Sequence, residues 1–383
     1  MIVCRTMNVL IIYPFYNQRG LMHNFAAKLS KGGVVVDSIC YNNFHFEKNT
    51  SAKWPKLFLW GVKIFKGIKF SLIARCVGYI VKRYLLPQLF SKYDLIDFHA
   101  YYPVYNPLMR VCVKKGYKFD ITLWGSDLMR ADDKRKELLK YGFNYCYRIK
   151  MTGNLYDTMV ELYGNVYKDK YREVYFGSSE VEQIDAICDT KTIETIKQLY
   201  GDIGNKMILV CGYNGISSQN HDKIIAAIDE LDEDEKRSIH VVFPMTYGAQ
   251  LGYIKVIRDK LEKINVSFTL FEHYLEAKEV ALIRITAHIV LNIQKTDALS
   301  GSLKGHLYCG NVCIFGEWLN YSPYTNNGIY YIKTSMGDIA KHLKSVLHHY
   351  DDYHNLCLGN HDKIKSIFSW ESTIKNQIAV YGE

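Results

Sequence analysis

The sequence predicts an α/β protein of two doubly wound, Rossmann-like domains facing each other across a cleft. Short apolar runs rich in β-branched residues alternate with longer amphipathic segments, the pattern of parallel strands joined by crossover helices. The series also begins afresh after a polar stretch, Ser178 to Thr190, in a chain of 383 residues, long enough for two domains.

In order, the first series places strands at Asn8 to Tyr13, Val34 to Ile39, Leu95 to His99, Phe119 to Trp124, Ile149 to Thr152 and Glu173 to Phe176. The second places them at Lys206 to Cys211, His240 to Pro244, Ser267 to Phe271, His288 to Ile293, Val312 to Phe315 and Ile329 to Ile332. The segments between carry helical spacing. The domains are read as 1–185 and 186–365, with Ser178 to Thr190 as the linker.

Composition excludes disorder and fibres: 48% of residues are hydrophobic and 23% charged, the balance of a globular protein with a sizeable core. Ten cysteines without a CxxC are read as reduced thiols of a cytoplasmic protein, not as a disulfide framework or zinc site. The first apolar run is short, alternates like a strand and meets Pro14, unlike a cleavable signal. No window reaches the roughly 18 apolar residues of a membrane span.

In doubly wound sheets, ligands sit beyond the carboxyl ends of the strands. The turns there, YPFYNQRGLMHNF, HAYYPVYNP, GSDLMR and GYNGISSQNH, are rich in hydrogen-bonding residues that a short connection does not need. In GYNGISSQNH a helix is expected to open at Ser217 or Ser218. Its free N–H groups, with Gly212, Asn214, Gly215, Ser217 and Ser218, are suited to a diphosphate held without metal. A capped turn explains the same residues. Thr246, Tyr247 and Gly248 follow the next strand, and Glu272 and Leu275 the one after. Ser300, Gly301 and Ser302 open a small-residue helix whose backbone an anion can approach, and Lys304 adds a charge one turn in.

Transfer of a group to a hydroxyl at such a cleft would call for a stabilised leaving group and a base for the attacking hydroxyl. The candidates are His99, Asp127 and Asp297, with His23 as a further polar side chain. Asp127 also suits a helix cap and His99 a hydrogen-bonded structural role. No metal is implied, because no DxD follows a strand and Asp132-Asp133 lies in a charged helical run.

The stretch from His288 to Asn320 has a strand, an acidic loop residue, a small-residue helix, Gly310 and an apolar strand. With the terminal phrase FSWESTIKNQI, it resembles the second half of the GT-B glycosyltransferases that use nucleotide sugars. ITLWGSDLMR and HAYYP are similar to their acceptor-side loops. GYNGISSQNH, PMTYG and the Asp297 to Gly310 stretch most resemble the lipid-linked fucosamine transferases of enterobacterial common antigen. The resemblance implies that 366–383 forms a helix crossing back to the first domain. Retaining members carry two glutamates with seven residues between them, whose places fall here on Asp297 and Gly305, so the second carboxylate is missing and the stereochemical outcome stays open.

Lys48 to Tyr93 holds ten Lys or Arg residues and no acid. Without them the 48 basic residues fall to 38 against 39 acidic ones, so the formal charge of +9 is local. Read as one helix, 53–90 puts Trp54, Leu57, Phe58, Ile64, Phe65, Ile68 and Leu72 on one face and Lys56, Lys63 and Lys66 opposite. That pattern belongs to an interfacial helix on anionic lipid or to a core-facing helix with a solvated back.

Together these readings predict a metal-independent, cofactor-free glycosyltransferase of surface polysaccharide assembly. It would take a UDP- or TDP-sugar, act on a lipid-linked or glycan acceptor and lie peripherally on the inner face of the cytoplasmic membrane. A non-catalytic ligand-binding protein and a nucleotide-sugar epimerase are the alternatives. No nucleic-acid motif is present.

Overall fold

The computed structural model describes residues 6–15, 19–68, 71–187 and 193–383. The chain divides into two compact units, one formed by residues up to Phe176 together with Thr373–Glu383, the other by Gly177–Ser372.

The first unit holds β1 (Met7–Tyr13), β2 (Val34–Cys40), β3 (Phe46–Glu47), β4 (Leu95–His99), β5 (Phe119–Thr122), β6 (Ile149–Met151) and β7 (Tyr171–Glu173). Their order is β3-β2-β1-β4-β5-β6-β7. Every pairing is parallel except β2 with β3. β4 and β5 are buried along their whole length, which is why they read as apolar runs without alternation. Two residues of β3 are too few to show a period. The strand expected at Glu173 to Phe176 lies at β7 instead. Phe176 turns away to pack its ring against Phe25, His99 and Trp124.

Charges lie inside this sheet. Asp97 on β4 stands in register with Asp120 on β5, both beyond the reach of water. Lys150 of β6 pairs with Asp97 and stands 3.7 Å from Asp120, while Arg148 meets Asp120 at 2.9 Å. Burial alone would raise both carboxyls. Lys150 and His99 hold Asp97 well below the usual carboxylate range, whereas Asp120 remains raised. The last helix, Trp370–Gly382, closes this network. Tyr381 donates to Asp97 at 2.5 Å, and Arg148 donates to the Val380 carbonyl. Gly32 leaves the space that the Ile378 side chain fills.

The basic segment corrects the single-helix reading. It forms two helices, Lys56–Gly67 and Ser71–Ile80, then a π turn, Val81–Leu85, and a 3-10 stretch, Leu86–Lys92. Trp54 and Phe58, expected on the lipid-facing side, are buried. The Trp54 indole donates to the Tyr93 hydroxyl, which donates in turn to Asp37. The exposed apolar side chains are Leu57, Leu59, Trp60, Leu72, Ile73, Tyr79, Ile80 and Tyr84, with Leu72 71% exposed. Lys69 lies outside the described residues. Among the described residues no helix is long and apolar enough to cross a membrane, and the eight cysteines are free thiols.

The second unit holds β8 (Met207–Cys211), β9 (Ile239–Pro244), β10 (Ser267–Phe271), β11 (Ile289–Asn292), β12 (Val312–Gly316) and β13 (Ile332–Thr334). The order is β10-β9-β8-β11-β12-β13, parallel throughout. Strand order reverses between β8 and β11, so the loops after these two strands diverge and leave a crevice. β13 begins later than expected because the Asn360 side chain takes both the N–H and the C=O of Tyr330. The stretch read as a linker forms the helix Ser179–Ile187, with Val181 and Ile184 buried in this unit; 188–190 lie outside the described residues. Trp370 covers Gly177, where a Cβ would lie 2.3 Å from the indole, and its N–H reaches Ser179.

Candidate functional site

A cavity of about 310 Å³ opens in the second unit at the carboxyl ends of β8, β9 and β10 and beside the loop after β11. Tyr213 enters from the first of these loops, Thr246 and Tyr247 from the second, and Tyr274 and Leu275 from the third. Val280, Ile283 and Arg284 of the helix Ala277–Thr286 form another wall. Ser300, Gly301 and Ser302, with Glu180, complete it.

The helix Gly301–Tyr308 begins at this cavity with Ser300 as its N-cap. Its approach is tightly set. Leu299 is held at φ +59°, a conformation that costs a non-glycine residue energy and persists only where its neighbours enforce it. Asp297 supplies the enforcement: one carboxylate oxygen accepts from the Ser300 N–H at 3.2 Å and from the Tyr321 hydroxyl at 2.7 Å. Burial raises the Asp297 carboxyl. Asp297 and Lys304 therefore stand behind the cavity wall and do not line it. Lys304 is buried with its ammonium 4.7 Å from the Phe368 ring, and burial pulls it down to about 8 against the opposing pull of Asp297 and Glu180.

Arg284 is the cation that does line the cavity. It is 5% exposed, donates to the Ser302 hydroxyl at 2.8 Å and stands 3.6 Å from a Glu180 carboxylate oxygen. The missing side chain at Gly305 makes room for this pair. A Cβ there would lie 2.8 Å from that Glu180 oxygen and 3.3 Å from Arg284 Cγ. A carboxylate thus occupies the space beside position 305, delivered by a helix distant in sequence.

The glycine-rich loops have a different part from the one expected. Gly215 and Gly248 let the loops after β8 and β9 interlock, since added Cβ atoms would lie 2.7 Å from Ala249 and 2.4 Å from Ile216. Asn214 is buried and accepts from the Ile216 N–H at 2.9 Å. Gly212, at φ +66°, packs against Gln219 and His221. Ser217 and Ser218 form a single 3-10 turn, and after Asn220 in the left-handed region the helix begins at His221, later than expected. These residues shape the loop that presents Tyr213 and are not themselves in the cavity lining. Glu272 also stands outside it, paired with Arg258. Of the residues expected to bind a donor, the structure brings together Thr246, Tyr247, Leu275, Ser300, Gly301 and Ser302. Glu180, Tyr213, Tyr274 and Arg284 were missed. Arg284 had a signal, a lone arginine between Ile283 and Ile285 in an otherwise apolar helix face.

In the first unit, His99 is fully buried with both ring nitrogens engaged: Nε2 meets Asp97 at 3.0 Å and the Trp124 indole donates to Nδ1 at 3.4 Å. Asp127 is equally buried. Its carboxylate accepts from the backbone N–H groups of Tyr101, Trp124 and Gly125, tying the loop after β4 to the loop after β5. Burial raises its carboxyl to about 6 against those hydrogen bonds. His23 is exposed and contacts Glu47 at 2.8 Å. These three are not gathered into one cluster, and Tyr16, Asn17 and Gln18 of the first loop lie outside the described residues. Among the described residues no three His, Cys, Asp or Glu side chains gather as a metal site.

No family model matches the chain, and neither does any curated protein. Solved structures do. A sucrose-phosphate synthase from Thermosynechococcus elongatus is 11% identical with a TM-score of 0.70, each chain covered to 98%. A glycosyltransferase from Rickettsia africae is 12% identical with a TM-score of 0.71 at the same coverage. Anabaena HepE in complex with UDP and glucose is 10% identical with a TM-score of 0.68, covering 98% of this chain and 99% of that one. At such identities the likeness is one of fold, and the chain has the fold of the GT-B glycosyltransferases, two parallel-sheet Rossmann-like units.

Proposed function

We propose that the protein is a glycosyltransferase that takes a sugar from a nucleoside diphosphate donor bound in the second unit. One observation carries the reading: the cavity at the β8–β11 reversal joins the start of a helix to a buried arginine. The backbone N–H groups of Gly301 and Ser302 begin a helix whose dipole favours an anion, and the Arg284 guanidinium can fork onto phosphate oxygens. Tyr274 and Leu275 offer an apolar wall to a nucleobase. Tyr213 is half-buried and Tyr247 exposed, and local desolvation raises both phenols, which so stay protonated. HepE, solved with UDP and glucose, supports UDP as the first nucleotide to test.

In the transfer, the bond from the sugar's anomeric carbon to the diphosphate oxygen breaks with its electron pair left on the diphosphate. A bond forms to an acceptor hydroxyl, whose proton passes to the departing diphosphate or to solvent. The fixed N–H groups and Arg284 stabilise the leaving charge as it develops, which lowers the barrier without a metal ion. For the acceptor we favour a lipid-linked glycan of the kind used by the fucosamine transferases of enterobacterial common antigen. That would place the protein peripherally on the inner face of the cytoplasmic membrane, in surface polysaccharide assembly. The support is the exposed apolar face of Ser71–Ile80 in an acid-free basic segment.

The test is thermal unfolding with UDP, TDP, GDP and CMP, each with and without Mg²⁺. A ligand at a hundred times its Kd adds about 2.7 kcal/mol. Stabilisation by UDP or TDP without metal is expected. No stabilisation by any nucleotide would sink the donor site and leave a non-nucleotide ligand as the alternative. Stabilisation only with Mg²⁺ would overturn metal independence.

A further inference from the structure

A second cavity, of about 520 Å³, opens in the first unit between the helix Ser71–Ile80 with the π turn after it and the segment around Pro103 to Leu108. Its volume is within the range of small-molecule sites. The walls are mainly apolar, from Phe65, Gly78, Tyr79, Val104 and Leu108. Gly78 is needed there, because a Cβ would lie 2.9 Å from the Phe65 ring. Three cations, Arg75, Lys82 and Arg83, face the same space.

Those cations have no acid to balance them. Among the described residues none of the three pairs with a carboxylate. Lys82 sits 4.4 Å from the Tyr41 ring centroid, and Arg83 donates to the Pro107 carbonyl at 3.1 Å. Half-buried Lys82 is pulled down by burial, the state an incoming anion would reverse. Tyr79 of the lining is exposed and its ring meets that of exposed Tyr84, and Ile73 and Ile80 of the same helix are exposed as well. An apolar hollow with uncompensated cations at its edge and an apolar surface leading to it is complementary to one chemistry, an anionic head on an apolar chain.

We propose that this cavity seats a single anionic lipid whose head is a terminal phosphate, with that phosphate on Arg75, Lys82 and Arg83 and the start of the chain against Phe65 and Leu108. This rests on the membrane part of the functional reading and names the site through which it works. A lipid held there is oriented by protein contacts, beyond the diffuse attraction of a basic surface to a bilayer.

The experiment is calorimetric titration of the full chain with dihexanoyl phosphatidic acid, dihexanoyl phosphatidylcholine and inorganic phosphate, all soluble, so that vesicle adsorption does not enter. We expect saturable 1:1 binding of the phosphatidic acid, at least about tenfold tighter than either other probe. Filling the cavity by Ala74→Phe or Val104→Trp, or removing charge by Arg75→Gln with Arg83→Gln, should each weaken it at least about tenfold. Val104 is exposed, so its variant keeps the test alive should Ala74→Phe not fold. Phosphate binding as tightly as the phosphatidic acid would reduce the site to a bare anion site and overturn the proposal. So would equal binding of phosphatidylcholine, no binding of either lipid, or cavity-filling variants without effect. Stabilisation by UDP, measured on the same samples, reports on the second unit and separates failure of the lipid seat from failure of the nucleotide reading.

Discussion

Replacing Arg284 by Met removes the buried guanidinium that lines the cavity proposed for the nucleotide while keeping an apolar stem of similar length. Two costs follow, and they separate. In the free protein, the Glu180 carboxylate loses its partner at 3.6 Å and the Ser302 hydroxyl loses a donor at 2.8 Å. Breaking a fully buried pair costs about 3–5 kcal/mol, but the Glu180 side chain is 30% exposed and water can take up part of the charge. A loss of about 1–3 kcal/mol is expected in urea denaturation of the second unit. In the complex, a charge-assisted hydrogen bond to phosphate is worth about 1.5–3 kcal/mol, roughly 10- to 150-fold in Kd. Calorimetric titration with UDP at pH 7.5 should show that loss, and Arg284→Lys, which keeps the charge without the fork, should be intermediate. Uridine, which lacks the phosphates, should bind the wild type and Arg284→Met within about twofold. If UDP is weakened no more than uridine, Arg284 does not face the diphosphate and the donor-site argument fails.

Two further predictions concern the first unit. Because the folded protein holds the Asp127 carboxyl at about 6, above its unfolded value, its contribution to stability is complete below pH 4 and lost as pH rises through 6. The wild type should therefore lose roughly 2.5 kcal/mol relative to Asp127→Asn between pH 4 and pH 7 in urea denaturation, and a flat difference would refute the buried ionisable carboxyl. Tyr381→Phe keeps the ring beside Lys150 but removes the hydroxyl that donates to Asp97, and should cost about 1–3 kcal/mol. A change below about 0.5 kcal/mol would mean that the Tyr381 hydroxyl does not hold the last helix, leaving packing and the Arg148 bond to the Val380 carbonyl.

Most strands were legible because both faces of these sheets are covered, so a continuous apolar run is a local record of burial. The strand-end rule then pointed to Thr246, Tyr247, Leu275 and Ser300 to Ser302, which do line one cavity. His99 and Asp127 show the limit of that rule. A polar residue at a strand end can turn outward to a ligand or inward to the backbone, and both turn inward because Asp97 and the Tyr101, Trp124 and Gly125 amides are there to meet them. The basic segment shows another limit. Its composition marked an apolar, cationic surface, but the end of the first helix at Gly67 and the bond from Trp54 to Tyr93 leave only part of the expected face, Leu57 and Leu72, outside.

The order of elements, the restart of the strand series and the confinement of positive charge to one segment follow from the sequence alone, because each depends on neighbours along the chain. Tertiary structure alone decided that Glu180 would stand in the space left at Gly305 and that Arg284 would meet Ser302. It also decided that Arg75, Lys82 and Arg83 would share a cavity with Val104 and Leu108. Burying a charge is costly unless a partner is delivered to it, and those partners come from elements far apart in sequence, which only the closing of the sheets brings within reach.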